Sequence, residues 1–135
     1  MQNITALFAA HPNLPPDASL IKTCAAACYE CAGLYVACSD ACLGETHVAD
    51  LVCCIRTCLD CSDVCLAAAR VVSRLTNPSP MLVEAQLMAC GAACSMCADE
   101  CESHAAMHEY CRVCAEACRA CEQACRALLH GASFQ

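Results

Sequence analysis

Thiolate sulfur is a soft metal ligand, and this chain of 135 residues carries 19 cysteines. Eighteen of those 19 recur at alternating steps of three and four residues, the period of one buried helix face. On the first long segment the seam reads Ile21, Cys24, Cys28, Cys31, Tyr35, Cys38 and Cys42. The second reads Leu51, Cys54, Cys58, Cys61, Cys65, Ala68, Val72 and Leu75. The third runs Val83, Leu87, Cys90, Cys94, Cys97, Cys101 and His104, and the fourth Met107, Cys111, Cys114, Cys118, Cys121, Cys125 and Leu128. Eight non-overlapping pairs stand four residues apart, from Cys24 with Cys28 to Cys121 with Cys125. On a helix such residues have Cβ atoms roughly 5–6 Å apart, so two thiolates can bracket one ion. That separation suits a disulfide poorly, because its Cβ atoms must approach to about 3.5–4.5 Å. Cys31 and Cys111 also face inward, and Cys53, the remaining candidate metal ligand, is off register and reaches the interior only from the seam's flank.

Soft thiolates select Cu(I), Zn(II) or iron–sulfur clusters. With every cysteine ionised the interior would hold 19 negative charges, which a dry core cannot carry uncompensated. Cu(I) at about one ion per thiolate makes a neutral lattice. Zinc needs roughly half as many ions, each in a closed tetrahedron, and thiolate pairs lining a straight tube are expected to offer many two- and three-sulfur sites and few tetrahedra. A ferredoxin-type run would end in Cys-Pro, and no cysteine here precedes a proline. Protonated thiols behave as small apolar groups, so the bundle is expected to stay folded without metal. Cysteine as plain core filler is a poorer reading, because leucine packs better and does not oxidise. A Cys-x-x-Cys redox site needs a βαβ setting that this helical pattern lacks, and no nucleophile elbow, phosphate loop or His-Glu-x-x-His motif is present. The chain is therefore read as no enzyme.

Four elements must position these thiols. Asn13 to Pro16 breaks the chain, Asp17 is a candidate N-cap, and the first long helix spans about 18 to 43 before Gly44. Thr46 is a candidate cap for a second helix reaching about Thr76, where Asn77 and Pro78 stop it. Ser79 and Pro80 then open a third helix ending near His104. The fourth begins at Met107 or His108 and ends before Gly131. Short connections make neighbours antiparallel, so the expected fold is all-α: an up-down-up-down four-helix bundle over residues 17–131, with a cysteine-lined core. Residues 1–16 form a separate N-terminal segment with a possible short extra helix, and 132–135 a C-terminal tail.

A net charge of −7 without clustered Lys and Arg argues against nucleic acid as a partner. The first ten residues lack a charged leader and are too short to span a bilayer, so the chain reads as cytosolic, with reduced thiols and no membrane partner. The two ends of the tube differ. Toward the termini Ile21, Val72, Leu75, Val83, Leu87 and Leu128 form an apolar plug. At the other end His104, Met107 and His108 offer imidazole and thioether, both copper ligands, and mark the expected mouth. His47 stands nearby, while His11 and His130 read as surface residues.

These residues resemble the bacterial cytosolic copper storage proteins. The likeness rests on the Cys-x-x-x-Cys units of all four segments, on Cys54-Ile55-Arg56 followed by Cys61-Ser62-Asp63-Val64-Cys65, and on Cys111-x-x-Cys114-Ala115-x-Ala117-Cys118-x-x-Cys121. It covers about Cys24 to Cys125. It implies a tetrameric four-helix bundle that binds many Cu(I) ions through the seam cysteines, with His104, Met107 and His108 at the entrance. Cys58 departs from it, standing where some relatives carry aspartate. The expected function is copper storage and detoxification. The alternatives are a copper or zinc delivery chaperone, or a zinc buffer like metallothionein.

Overall fold

Where the breaker at Asn13 to Pro16 ends, the backbone can wind, and the Lys22 N–H reaches the Ala18 carbonyl at 3.0 Å to start the first long helix. The computed structural model describes residues 2–16 and 18–131. Asp17, the expected cap, and the tail 132–135 lie outside the described residues. Five helices follow in order: α1 (Gln2–Ala9), α2 (Ser19–Leu43), α3 (Val52–Val72), α4 (Pro80–Glu102) and α5 (Glu109–Gly131).

Two boundaries differ from expectation. Thr46 caps no α-helix, because a 3₁₀ turn, Val48–Leu51, comes between and tucks Leu51 under the end of the core. At its other end α3 stops at Val72, four residues early, where Ser73 Oγ donates to the Ala69 carbonyl at 2.6 Å and closes the last turn. Leu75 then folds back as a buried residue of the connection, and Asn77 takes the left-handed conformation (φ 51°) that asparagine tolerates. Pro80 occupies the first turn of α4 as expected, and Gly44 closes α2 by donating to the Asp40 and Ala41 carbonyls. Gly131, expected just past α5, is its final residue.

In the antiparallel bundle α2 packs on α3 and α5, and α4 packs on the same two; the diagonal pairs meet through core sulfurs, Cys28 with Cys90 at 3.8 Å and Cys58 with Cys114 at 3.9 Å. Small side chains bring neighbours close. Buried Ala25, Ala32 and Ala69 line the α2–α3 contact with Ser39 and Ser62, and Ser62 Oγ donates to the Ala32 carbonyl at 2.5 Å. Arg119 of α5 ties to Asp99 (2.5 Å) and Glu102 (2.8 Å) of α4 on the outside, where exposed pairs add little stability. The interior left between four closely spaced helices is filled with sulfur. α2 and α4 are long and apolar enough to cross a bilayer by composition, but much of that apolarity is the cysteine seam, which each buries within the bundle.

The expected N-terminal helix is present as α1, which lays Phe8 into the core. Asn13 Nδ2 donates to Thr76 Oγ1 at 2.7 Å, fastening this segment to the α3–α4 connection. The plug at that end is real for Val72, Leu75, Val83, Leu87 and Leu128, all buried; Ile21 is half-buried.

Candidate metal centre

All eighteen seam cysteines are buried and unpaired by disulfides, while Cys53 is exposed. Their closeness comes chiefly from packing between helices. Cys65 Sγ lies 3.6 Å from both Cys90 and Cys94 Sγ, Cys28 lies 3.7 Å from Cys121, and Cys58 lies 3.8 Å from Cys101. Within one helix, Cys61 and Cys65 stand 3.8 Å apart and Cys97 and Cys101 3.9 Å.

Sulfurs mutually within 4.8 Å form five groups. Three have four members: Cys28, Cys90, Cys121 and Cys125; Cys38, Cys58, Cys101 and Cys114; and Cys65, Cys90, Cys94 and Cys121. Two have three: Cys38, Cys42 and Cys111; and Cys97, Cys114 and Cys118. Few separate tetrahedra were expected, and four sulfurs nevertheless come together in three places. The reason is tertiary: Cys38, Cys58, Cys101 and Cys114 come one from each long helix, a meeting no single seam reveals. The groups are not separate tetrahedra, however, since Cys90 and Cys121 serve two of them, as do Cys38 and Cys114. A lattice of shared sulfurs results. Cys24 joins it through Cys125 (3.8 Å), Cys54 through Cys101 (3.9 Å) and Cys61 through Cys94 (3.7 Å), whereas Cys31 Sγ donates to the Ala117 carbonyl.

The hydrogen-bonded sulfur pairs fall into two sets. One, toward the His104 end, contains Cys54, Cys58, Cys97, Cys101 and Cys114; the other, toward the plug, contains Cys24, Cys28, Cys61, Cys65, Cys90, Cys94, Cys121 and Cys125. No four- or three-sulfur group joins the sets either. Longer hydrogen bonds of Cys61 with Cys118 and Cys97 cross from one set to the other.

Protons are unevenly held in this lattice. Hydrogen bonds from Cys101, Cys114 and Cys54 pull the Cys38 thiol down to about 4. Cys58, Cys94, Cys118 and Cys125 are likewise held below the ordinary thiol range, led by hydrogen bonds from Cys101, Cys121, Cys101 and Cys121 respectively. The donors are pushed the other way: Cys101 is raised chiefly by Cys114 and Cys121 chiefly by Cys125. Near the mouth, burial comes first, raising Cys42 and lifting Cys111 to about 12. Some sulfurs therefore give up a proton more readily than the neighbours that donate to them, and a soft cation displaces protons unevenly along the lattice.

At the expected mouth Glu45, His47, Asp50, His104, Met107 and His108 help line an open cavity of about 320 Å³. His104 and His108 are half-buried, but Met107 is 81% exposed, so the fourth seam begins in solvent. His104 Nε2 lies 3.2 Å from Glu100 Oε1, and His108 Nδ1 lies 3.3 Å from Glu45 Oε2, which also accepts from Tyr110 Oη at 2.8 Å. The His108 and Tyr110 rings stack at 5.3 Å. Neither histidine belongs to a sulfur group. The carboxylate partners escaped sequence reading. Glu100 is detectable as the residue four before His104, but Glu45 is 63 residues from His108 and only the fold brings them together.

An antiparallel helical bundle with a shared-sulfur interior and a histidine-lined mouth defines a class of soft-metal-binding protein. A family profile described as copper storage protein matches residues 17–130, and the chain belongs to that family. It is similar to the copper storage protein Ccsp from Streptomyces lividans loaded with 10 copper equivalents, at 49% identity over 96% of this chain and 99% of that one, with a TM-score of 0.91. A five-copper structure of a cytosolic copper storage protein from the same organism is 53% identical over 87% and 98% of the two chains (TM-score 0.84). A Streptomyces lividans Ccsp mutant with two histidines four residues apart replaced by alanine is 52% identical over 86% and 98% (TM-score 0.84). A search of curated proteins found no match.

Proposed function

We propose that this chain is a cytosolic copper store that takes up about one Cu(I) per core cysteine, serving storage and detoxification without catalytic turnover. The observation that carries the reading is the column of eighteen buried cysteines, whose close sulfur groups share members. Monovalent ions bridged by shared thiolates neutralise such a lattice singly. Each Cu(I) bound displaces a thiol proton, so charge stays balanced in the dry core. The copper-binding unit is residues 17–131, since every cysteine lies there. Family membership and the copper-loaded relatives support the assignment.

The site residues follow: the eighteen seam cysteines bind, and His104, Met107 and His108 receive copper at the mouth. His104 and His108 are the only two of the chain's 5 histidines that stand four residues apart, the spacing of the pair replaced in the Streptomyces lividans mutant. Cys53, on the outside at the start of α3, would add at most a flanking ligand. The assembly is a homotetramer, a reading supported by the resemblance and by exposed apolar residues such as Leu66 and Val113.

One observation favours a second reading, a zinc buffer: the three four-sulfur groups offer zinc more tetrahedra than the seams suggest. Anaerobic titration separates them. The store saturates near one Cu(I) per cysteine and releases preloaded zinc as Cu(I) is added. Zinc retained against one Cu(I) per thiolate would establish the buffer, and saturation at one or two copper ions would establish a delivery chaperone.

A further inference from the structure

Between the first and last cysteine of each seam, α3, α4 and α5 present cysteine at every inward position, and α2 alone interrupts its run, with Tyr35. Tyr35 is fully buried. It stands between Cys31 and Cys38, at the level where the hydrogen-bonded sulfurs divide into two sets. Its Oη is the one buried side-chain nitrogen or oxygen atom among the described residues with no hydrogen-bond partner. A phenylalanine would fill the same space without stranding a donor, and native cores rarely leave such a group unpaired. Burial acts most on the hydroxyl, and after it the charges of Cys94, Cys118, Cys31 and Cys61.

A neutral thiol is a weak hydrogen-bond acceptor, whereas a thiolate sulfur is a strong one. Copper loading replaces thiol protons with Cu(I) and turns every nearby sulfur into the strong kind. We propose that Tyr35 is a positioning residue for the loaded core, its hydroxyl donating to a copper-bound thiolate at the boundary between the two sulfur sets. The proposal rests on the copper-storage reading. The phenol stays protonated throughout, gains an acceptor on loading, and orients sulfur where the two sets adjoin.

The test compares the full chain with Tyr35→Phe, each copper-free and Cu(I)-loaded under anaerobic reducing conditions. Capacity is expected to be equal. The rise in Tm on loading should be smaller in Y35F, by on the order of a few degrees, because only the wild type gains the hydrogen bond. Raman difference spectra, wild type minus Y35F, isolate Tyr35 from Tyr29 and Tyr110. The tyrosine doublet should change from that of an unbonded phenol to that of a donor on loading, a change that a mere packing role would not produce. Equal Tm increments with an unchanged doublet, in a wild type that loads normally, overturn this proposal alone. A wild type that binds no Cu(I) overturns the storage reading with it.

Discussion

A buried thiol gives up its proton only where neighbours donate to the sulfur left behind, and the lattice sorts its cysteines on that basis. Cys38, pulled down to about 4 by its hydrogen bonds with Cys101, Cys114 and Cys54, lies one turn inside Cys42. We propose that copper enters between His104 and His108 and meets imidazole before sulfur. Replacing His104, Met107 and His108 together with alanine should slow Cu(I) uptake several-fold in stopped-flow measurements while capacity stays within about one ion. Unchanged uptake would remove the entrance role. Accessibility makes a second prediction: in the copper-free protein one thiol should react quickly with Ellman's reagent and the rest slowly, and Cys53→Ser should abolish the fast phase. Several fast thiols would mean that the seam is open to solvent.

At the scale of the helix, the spacing of sulfur across the core is set by what lies behind it. The Ser62 hydroxyl is buried in the α2–α3 contact and bonded to the Ala32 carbonyl. Ser62→Ala should lower the stability of the copper-free bundle by about 1 kcal/mol in urea unfolding, the usual net worth of one hydrogen bond. The seam itself makes stability depend on pH. Cys111 ionises near 9.0 when unfolded and at about 12 in the bundle, so above pH 9 the unfolded chain binds fewer protons and gains on the folded one. Stability of the copper-free protein should therefore be level with respect to this group below pH 9 and fall from there toward 12, measured by denaturant titration at stepped pH. A rise over that interval would contradict the burial of the thiol.

The whole molecule is polar at one end of its tube and apolar at the other, with apolar residues also left on its flank. Val52, Leu59 and Leu66 repeat every seven residues and share one exposed face of α3. Such a stripe on a soluble bundle marks a contact surface. Light scattering should give four times the 14.2 kDa mass of one chain, and Leu59→Glu with Leu66→Glu should lower it. A monomeric wild type would discard the tetramer. Copper capacity per chain should not change in the double mutant, because the stripe faces away from the sulfur column.

Four helices, their antiparallel order, the eighteen inward thiols and the preference for a soft metal were all legible in the sequence, because a three-and-four spacing forces residues onto one helix face whatever the partner helices do. Cys53 could be singled out for the same reason: off register means off the face. The plug was readable from apolar residues at the seam ends. Other features depend on distances between chain segments that no local period encodes. Cys38, Cys58, Cys101 and Cys114 meet only once four helices have packed together. The 3₁₀ turn before α3 follows from the need to tuck Leu51 beneath the bundle, which overrides the capping signal at Thr46. Glu45 reaches His108 across 63 residues, and the stranded hydroxyl of Tyr35 exists only once the helices around it have closed. Periodicity decides which side chains face inward; packing between helices decides which of them touch.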